Sequence, residues 1–600
     1  SKVTVVKSGR NEAIAQDALG QPGTFVIWQI QANYVGDLSG RYRFVETIPD
    51  GMELAYLKYH WAGSRYQRKP TTVRLTEEEI SALGSGWTEY VQTIKGNTVY
   101  YYMNGQTVIW DVDGLVDGYV TDGYGVEYQI ACRVTDPDVL LSGAEKEFNN
   151  QVKLLSSTGK EIGVSSNSAS VQKNTIKKTG NYNSDTNGGR FPFTVTVNPL
   201  GEDLIKGKDT LTLVDEMSDT LTLDTSTIRV TNTKTGEAIT DYTLAVNGQT
   251  FTLKLPDNVP LTITYETLVN APPEQDVEII NKVHWEGYTV PEGAVVDIKS
   301  FSYKVGGTVG VSTPPSIKIT KLDSNNAALF LSGATFTLQE GIYKNGTFTP
   351  GGSSWTGTTD ENGLLVFGTN GQSMKYNTVY CLTETKAPDG YILDAAPHYF
   401  VVAQELEAED GTKSYPAFPS GVTVWYQGAQ YTYQAFNHKG EITVAKDFRD
   451  AGGNVCAPIS GTYTFGLYAD ANAVGEPLQT VAITYNASDK ESNKTAVFRD
   501  LELEKTYYVF ELDDQGNPIR NNAAALVHKT QFLVTYPGSS NGAGHGETVQ
   551  VTNQSFAPEL PETGGTGTYL YTMGGALLMA TAGILLYIQN KRRKEETASS

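Results

Sequence analysis

The stretch Tyr380-Cys381-Leu382-Thr383-Glu384-Thr385-Lys386-Ala387-Pro388-Asp389-Gly390-Tyr391 begins as a strand and ends as a turn. Side chains alternate along a strand, so Tyr380, Leu382 and Glu384 share one face and Cys381 takes the other. A carboxylate is thereby set among apolar side chains, and Pro388-Asp389-Gly390 then stops the strand. The same grammar recurs outward from this segment. Residues 191–197, 250–255, 317–320 and 422–426 alternate as half-buried strands do. Asn104-Gly105, Asn247-Gly248 and Asn362-Gly363 punctuate the chain at turns. No helical period persists ahead of the C-terminal apolar segment, with one local exception. Thr76 and Glu79 have capping-box spacing and predict a short helix over residues 76–83. The expected fold class is all-β, a tandem array of β-sandwiches.

Six hundred residues exceed what one core organises, so several domains are expected. With 39% hydrophobic and 10% aromatic residues the chain can bury those cores. A net charge of −21 argues against nucleic acid as a partner, which needs basic patches for its phosphates. Three cysteines (Cys132, Cys381, Cys456) and six scattered histidines offer neither a disulfide framework nor a zinc site. No HExxH, CxxC, Walker loop or dinucleotide fingerprint is present. No metal, no cofactor and no turnover chemistry are expected.

Self-comparison finds two kinds of repeat. In the first pair, Lys7 and Lys178 open the copies, Glu46 and Asp215 follow 39 and 37 residues later, and Asn150 and Asn281 close them. The neighbours Lys177 and Asn149 are turned to the opposite face by alternation. In the second pair, Lys321 precedes Glu384 by 63 residues and Lys446 precedes Glu511 by 65. The closing Asn437 and Asn553 lie 116 and 107 residues after their lysines. The repeats divide the chain into expected segments 1–165, 166–313, 314–440 and 441–556, followed by 557–600.

A sandwich can set its first strand beside its last, bringing a Lys to an Asn. Burial disfavours the ammonium and leaves a nucleophilic amine. A buried carboxyl is pushed toward its protonated form, hydrogen-bonds the carboxamide oxygen and shuttles protons. Attack on the amide carbon with loss of ammonia leaves a Lys–Asn isopeptide bond, and the packed domain supplies the proximity.

The Tyr380–Tyr391 box, with Lys321 and Asn437 around it, resembles the Cna-B-type (SpaA-like, prealbumin-like) domain of Gram-positive pilins and adhesins. The segment holding Lys446, Glu511 and Asn553 resembles it more loosely, lacking the Ala-Pro-x-Gly-Tyr part. The two leading segments resemble Ig-like adhesin domains of the same surface proteins. These resemblances imply autocatalytic crosslinks that form once, at Lys321/Asn437, Lys446/Asn553, Lys178/Asn281 and Lys7/Asn150. Their acids would be Glu384, Glu511, Asp215 and Glu46.

Leu560-Pro561-Glu562-Thr563-Gly564 leads into 28 uncharged residues, 563–590, and then Lys591-Arg592-Arg593-Lys594. Residues 569–588 are long enough to span a bilayer as a helix, with the basic tail held inside. This order resembles the cell-wall sorting signal of Gram-positive surface proteins. It implies export, cleavage by a sortase between Thr563 and Gly564, and covalent attachment of Thr563 to peptidoglycan. The membrane would be a partner only before sorting. Removing residues 564–600, with four basic and two acidic side chains, leaves −23. The chain opens Ser1-Lys2-Val3-Thr4 without a leader peptide, so a mature form or a fragment is expected.

The first segment is rich in aromatics: Tyr56, Tyr59, His60, Trp61, Tyr66, Tyr100, Tyr101, Tyr102 and Trp110. Exposed, they would form a surface for a host extracellular-matrix protein or glycan; buried, they are core. Collagen-type binding is a family analogy that these residues do not specify. The resemblance thus implies a wall-anchored adhesin or ancillary pilin. A stalk without its own ligand site and a polymerising major pilin are the competing readings. The pilin reading needs a Tyr-Pro-Lys stretch, and Tyr536-Pro537 is followed by Gly538.

Overall fold

The computed structural model describes residues 4–14, 19–33, 38–59, 72–115, 126–305, 314–428, 431–538 and 541–556. The expected sorting pentapeptide and the apolar span at 569–588 lie outside them. The chain divides into two compact units, Ser1–His438 and Lys439–Ser600.

The first unit opens with β1 (Thr4–Ile14), β2 (Gly23–Asn33), β3 (Leu38–Thr47), β4 (Met52–Tyr59) and β5 (Thr72–Val73). Helix α1 (Glu77–Ala82) follows, then β6 (Thr88–Ile94), β7 (Asn97–Asn104), β8 (Thr107–Leu115) and β9 (Val126–Val134). Helix α2 (Pro137–Ser142), β10 (Lys146–Leu155) and β11 (Glu161–Val171) complete the first sandwich. Its sheets run β1-β2-β9-β4 and β11-β10-β3-β8-β7-β6, with β5 on β8. Strand β11 pairs with β10 across position 165, so this sandwich continues past the expected segment edge.

The second sandwich holds β12 (Ile176–Gly180), β13 (Arg190–Val197), β14 (Thr210–Met217), β15 (Leu221–Asn232) and β16 (Thr243–Asn247). It ends with β17 (Thr250–Pro256), β18 (Leu261–Val269), β19 (Val277–Trp285) and β20 (Val295–Phe301). Its sheets are β12-β13-β18-β15 and β16-β17-β14-β19-β20. The third holds β21 (Ile317–Asp323), β22 (Thr335–Lys344), β23 (Thr347–Thr358), β24 (Leu364–Phe367) and β25 (Val379–Lys386). It continues with β26 (His398–Ala403), the pair β27 (Leu406–Glu407) and β28 (Lys413–Ser414), β29 (Thr423–Tyr426) and β30 (Tyr431–Asn437). Here the sheets are β24-β21-β30 and β23-β22-β25-β26-β29.

The second unit is one sandwich of β31 (Gly440–Arg449), β32 (Gly461–Tyr468), β33 (Gln479–Tyr485), β34 (Thr495–Leu501) and β35 (Tyr507–Glu511). Strands β36 (Ala523–Val527), β37 (Thr530–Thr535), β38 (Gly542–Ala543) and β39 (Thr548–Ser555) complete it. Its sheets are β34-β31-β39-β37-β36 and β33-β32-β35-β38.

Period-two burial builds these sheets. Along β13 and β31 every second side chain is buried, which sends Phe191, Phe193, Val195 and Val197, and Ile442, Val444, Lys446 and Phe448, into the cores. The β22–β23 hairpin turns through Asn345 and Gly346, both at positive φ, a two-residue connection that Asn-Gly accepts without strain. Thr76 and Glu79 form the expected capping box on α1. Helix α2 was not foreseen. Asp136 caps it, Pro137 starts it and Gly143 ends it in the left-handed region, signals that outweigh its brevity.

Candidate functional site

The second sandwich shows its site in full. Lys178 comes from β12, while Asp215 on β14 and Asn281 on β19 come from the facing sheet. Asp215 stands opposite Val283 and Asn281 opposite Met217, so acid and amide are diagonal neighbours on one inward face. Lys178 Nζ donates to Asp215 Oδ2 and to Asn281 Oδ1, both at 2.6 Å. The Tyr265 hydroxyl donates to Asp215 Oδ2 at 2.7 Å and accepts from Asn281 Nδ2 at 2.8 Å. The rings of Phe193 and Tyr265 lie 5.3 and 5.5 Å from the amine. All of these groups are buried. Burial pulls the Lys178 amine down to about 8, although Asp215 works the other way. Burial also pushes the Asp215 carboxyl up, more than Lys178 and its hydrogen bonds lower it. Lys177 points to solvent, as alternation requires.

The third sandwich arranges the same groups differently. Strands β21 and β30 are parallel neighbours, with Lys321 opposite Ala435 and Asn437 opposite Asp323. Glu384 arrives from β25 in the facing sheet, with Phe336 of β22 opposite it. Lys321 Nζ lies 2.9 Å from Glu384 Oε1, and Asn437 Nδ2 donates to Glu384 Oε2 at 2.9 Å. The backbone N–H of Asp394 donates to that same oxygen at 2.9 Å. Burial lowers the Lys321 amine below its ordinary range, with Glu384 opposing.

The fourth sandwich repeats this plan. Lys446 on β31 and Asn553 on β39 lie on parallel neighbours, and Glu511 comes from β35. Lys446 Nζ donates to Glu511 Oε2 at 2.5 Å, and Asn553 Nδ2 donates to Oε1 at 3.0 Å. The Tyr536 hydroxyl accepts from the Glu511 backbone N–H at 2.9 Å and fixes that strand end. Phe448, Tyr463 and Phe465 surround the amine, and burial pulls it down to about 8 against the pull of Glu511. The carboxamide oxygens of Asn437 and Asn553 have no hydrogen-bond partner among the described residues. A half-turn of either carboxamide would present that oxygen to the acid.

In the first sandwich Glu46 on β3 stands opposite Val152 of β10, which makes Asn150 its diagonal neighbour, as Asn281 is to Asp215. Both Glu46 and Asn150 are wholly buried, whereas Asn149 is exposed. The β1–β2 register pairs position 7 with Ile30, as β12–β13 pairs 178 with Val195. The Lys7 side chain lies outside the described residues.

Sequence reasoning placed these acids, amides and lysines but missed their supports. Tyr265, Asp394 and Tyr536 act only across the fold, and no local motif marks them. Of the aromatic run, Tyr101 and Tyr102 are core: both are buried, and Tyr102 accepts from the Leu75 N–H and donates to Glu89. Trp28 and Trp110 are core, with Trp110 stacked on Phe44 at 4.9 Å. His60, Trp61 and Tyr66 lie outside the described residues. Cys132, Cys381 and Cys456 form no disulfide. No cluster among the described residues could hold a metal ion.

The SpaA prealbumin-like fold domain matches residues 315–413, and the LPXTG cell wall anchor motif matches residues 552–596. No curated protein matches the chain. The full-length major pilin SpaD from Corynebacterium diphtheriae is 15% identical over 72% of this chain and 97% of its own, at a TM-score of 0.19. BcpA, the major pilin subunit of Bacillus cereus, is 15% identical over 53% and 88%, at 0.17. The Bacillus anthracis TIE protein is 12% identical over 92% and 75%, at 0.19. Scores this low place no weight on these likenesses. The anchor motif implies sortase processing and covalent attachment to the wall. The chain carries a SpaA prealbumin-like fold domain and an LPXTG cell wall anchor motif, and the motif makes it an exported protein of the Gram-positive cell-wall surface.

Proposed function

We propose that the protein is a wall-displayed element joined to peptidoglycan through Thr563 and stiffened by one Lys–Asn isopeptide bond in each sandwich. The observation that carries this reading is the buried meeting of Lys446, Glu511 and Asn553, with both nitrogens on one carboxylate. Burial disfavours the ammonium, and the reaction needs its proton handed to the adjoining carboxyl group so that the amine becomes a nucleophile. The amine nitrogen attacks the Asn Cγ while the acid protonates its oxygen. The new C–N bond forms and the old one breaks; the oxygen returns its proton to the carboxylate as the carbonyl re-forms, and one amine proton leaves with the departing nitrogen as ammonia. Nothing turns over, because the nucleophile is consumed.

Burial of Tyr56, Tyr101, Tyr102 and Trp110 favours the stalk reading over a ligand-binding head, since these members of the aromatic run are spent on the core. Intact mass of the folded, unsorted chain tests the bonds. Four bonds remove four ammonia molecules from the sequence mass, and a mass equal to the sequence mass overturns the reading. No binding of host matrix by the wild-type protein would agree with the stalk, and binding that a Tyr100→Ala variant loses would contradict it.

A further inference from the structure

Each sheet of the second sandwich ends on a strand with an open edge, β15 in one and β16 in the other. Residues of the third sandwich reach both. Gln434 Oε1 accepts from the Thr225 N–H at 3.1 Å, and its Nε2 donates to the Leu223 carbonyl at 2.6 Å. That is what a neighbouring strand residue would do, and it falls where β15 departs from its register with β18. Asn326 Oδ1 accepts from the Leu244 N–H at 2.9 Å, and the Ala327 N–H donates to the Leu244 carbonyl at 2.7 Å. Two amide side chains and one peptide thus serve the backbone of both edges, which would otherwise hold unpaired polar groups.

Beside the Gln434 contact, on β15 itself, lies a buried charge. Asp224 is 0% exposed, with Arg190 Nη1 of its own sandwich at 2.9 Å and Lys318 Nζ of the third at 3.3 Å. Ser226 and Thr432 hydroxyls also donate to it. Burial opposes ionisation, but Ser226, Lys318 and Arg190 together hold the carboxyl below its usual range. Apolar contacts cross the same seam: Leu322 and Ala327 join the second sandwich's core, and Leu268 joins the third's.

We infer that the second and third sandwiches are one cooperative unit, in which Gln434 and Asn326 replace missing strand neighbours at β15 and β16, with the Asp224–Lys318 contact beside Gln434. None of these residues belongs to a Lys–acid–Asn site, so the inference stands apart from the crosslinks.

Hydrogen exchange of the full chain in rising denaturant tests it. In the wild type, peptides from residues 190–285 and 317–437 are expected to lose protection at one denaturant concentration. Loss at separate concentrations overturns the inference without any variant. Gln434→Ala and Asn326→Ala should each speed exchange of their own amide, Thr225 or Leu244, about five- to tenfold. The double variant should expose both sandwiches earlier; acceleration confined to those two amides contradicts the lock. The wild-type comparison repeated in Lys321→Ala should give the same joint opening, which separates failure of the seam from failure of the crosslink chemistry.

Discussion

The second and third sandwiches bring the same three groups together from opposite strand assignments. In the second, acid and asparagine sit on neighbouring antiparallel strands and the lysine crosses from the facing sheet. In the third, lysine and asparagine sit on neighbouring parallel strands and the acid crosses. Glu46 and Asn150 follow the second plan, while Lys446, Glu511 and Asn553 follow the third. Common to the three fully described sites is a dry meeting point with a carboxylate against the amine, so the chemistry demands desolvation and contact, not a particular topology. The mechanical result does differ. A bond from Lys178 to Asn281 rivets one sheet to the other, whereas one from Lys321 to Asn437 binds first and last strands within a sheet.

The comparison breaks most visibly at the asparagines. Asn281→Ala and Asn437→Ala each open a loop of about a hundred residues in the unfolded chain, and each should cost about 4–5 kcal/mol by the loop entropy known for disulfides. Denaturant unfolding checks this, and loss in only one variant would mean that only one strand plan reacts. Next come the acids. Asp215→Asn and Glu384→Gln keep shape but cannot shuttle a proton, so bond formation should slow roughly 10²–10⁴-fold in either plan. The rate is read by mass during refolding of freshly made protein.

A smaller effect sharpens the contrast. Tyr265 touches both Asp215 and Asn281, and neither of the other described sites has a hydroxyl so placed. Tyr265→Phe should slow the second sandwich's bond up to about tenfold, the scale of one hydrogen bond, and leave the third and fourth unchanged. The smallest effect is on pH. Asn553→Ala leaves Lys446 as an amine with its pKa near 8, against an ordinary 10.5. The unfolded chain then binds the extra proton between those values, so stability rises as pH climbs from about 8 to about 10.5. The proposed crosslink makes the wild-type nitrogen an amide, so this rise should be missing from the wild-type pH–stability curve.

The strand periods and the Lys–acid–Asn spacings were legible because both depend on near neighbours and on chain order. Glu384 could be placed on an inward face from the alternation of Tyr380 and Leu382 alone. What stayed hidden depends on distant packing. Tyr100 to Tyr102 read in sequence as either a surface patch or core, and the sheet formed by β6, β7 and β8 decides it by burying two of them. Gln434 reads as an ordinary polar strand residue until the bulge in β15 meets it. The length of β11 could not be read from its many serines, which favour no strand, and pairing with β10 decides it.

The most direct measurement is a protease digest of the native protein read by mass spectrometry. The account predicts branched peptides joining Lys321 to Asn437, Lys446 to Asn553 and Lys178 to Asn281, each lighter by one ammonia than the sum of its two linear parts. Recovery of those six residues only in unmodified linear peptides would contradict it.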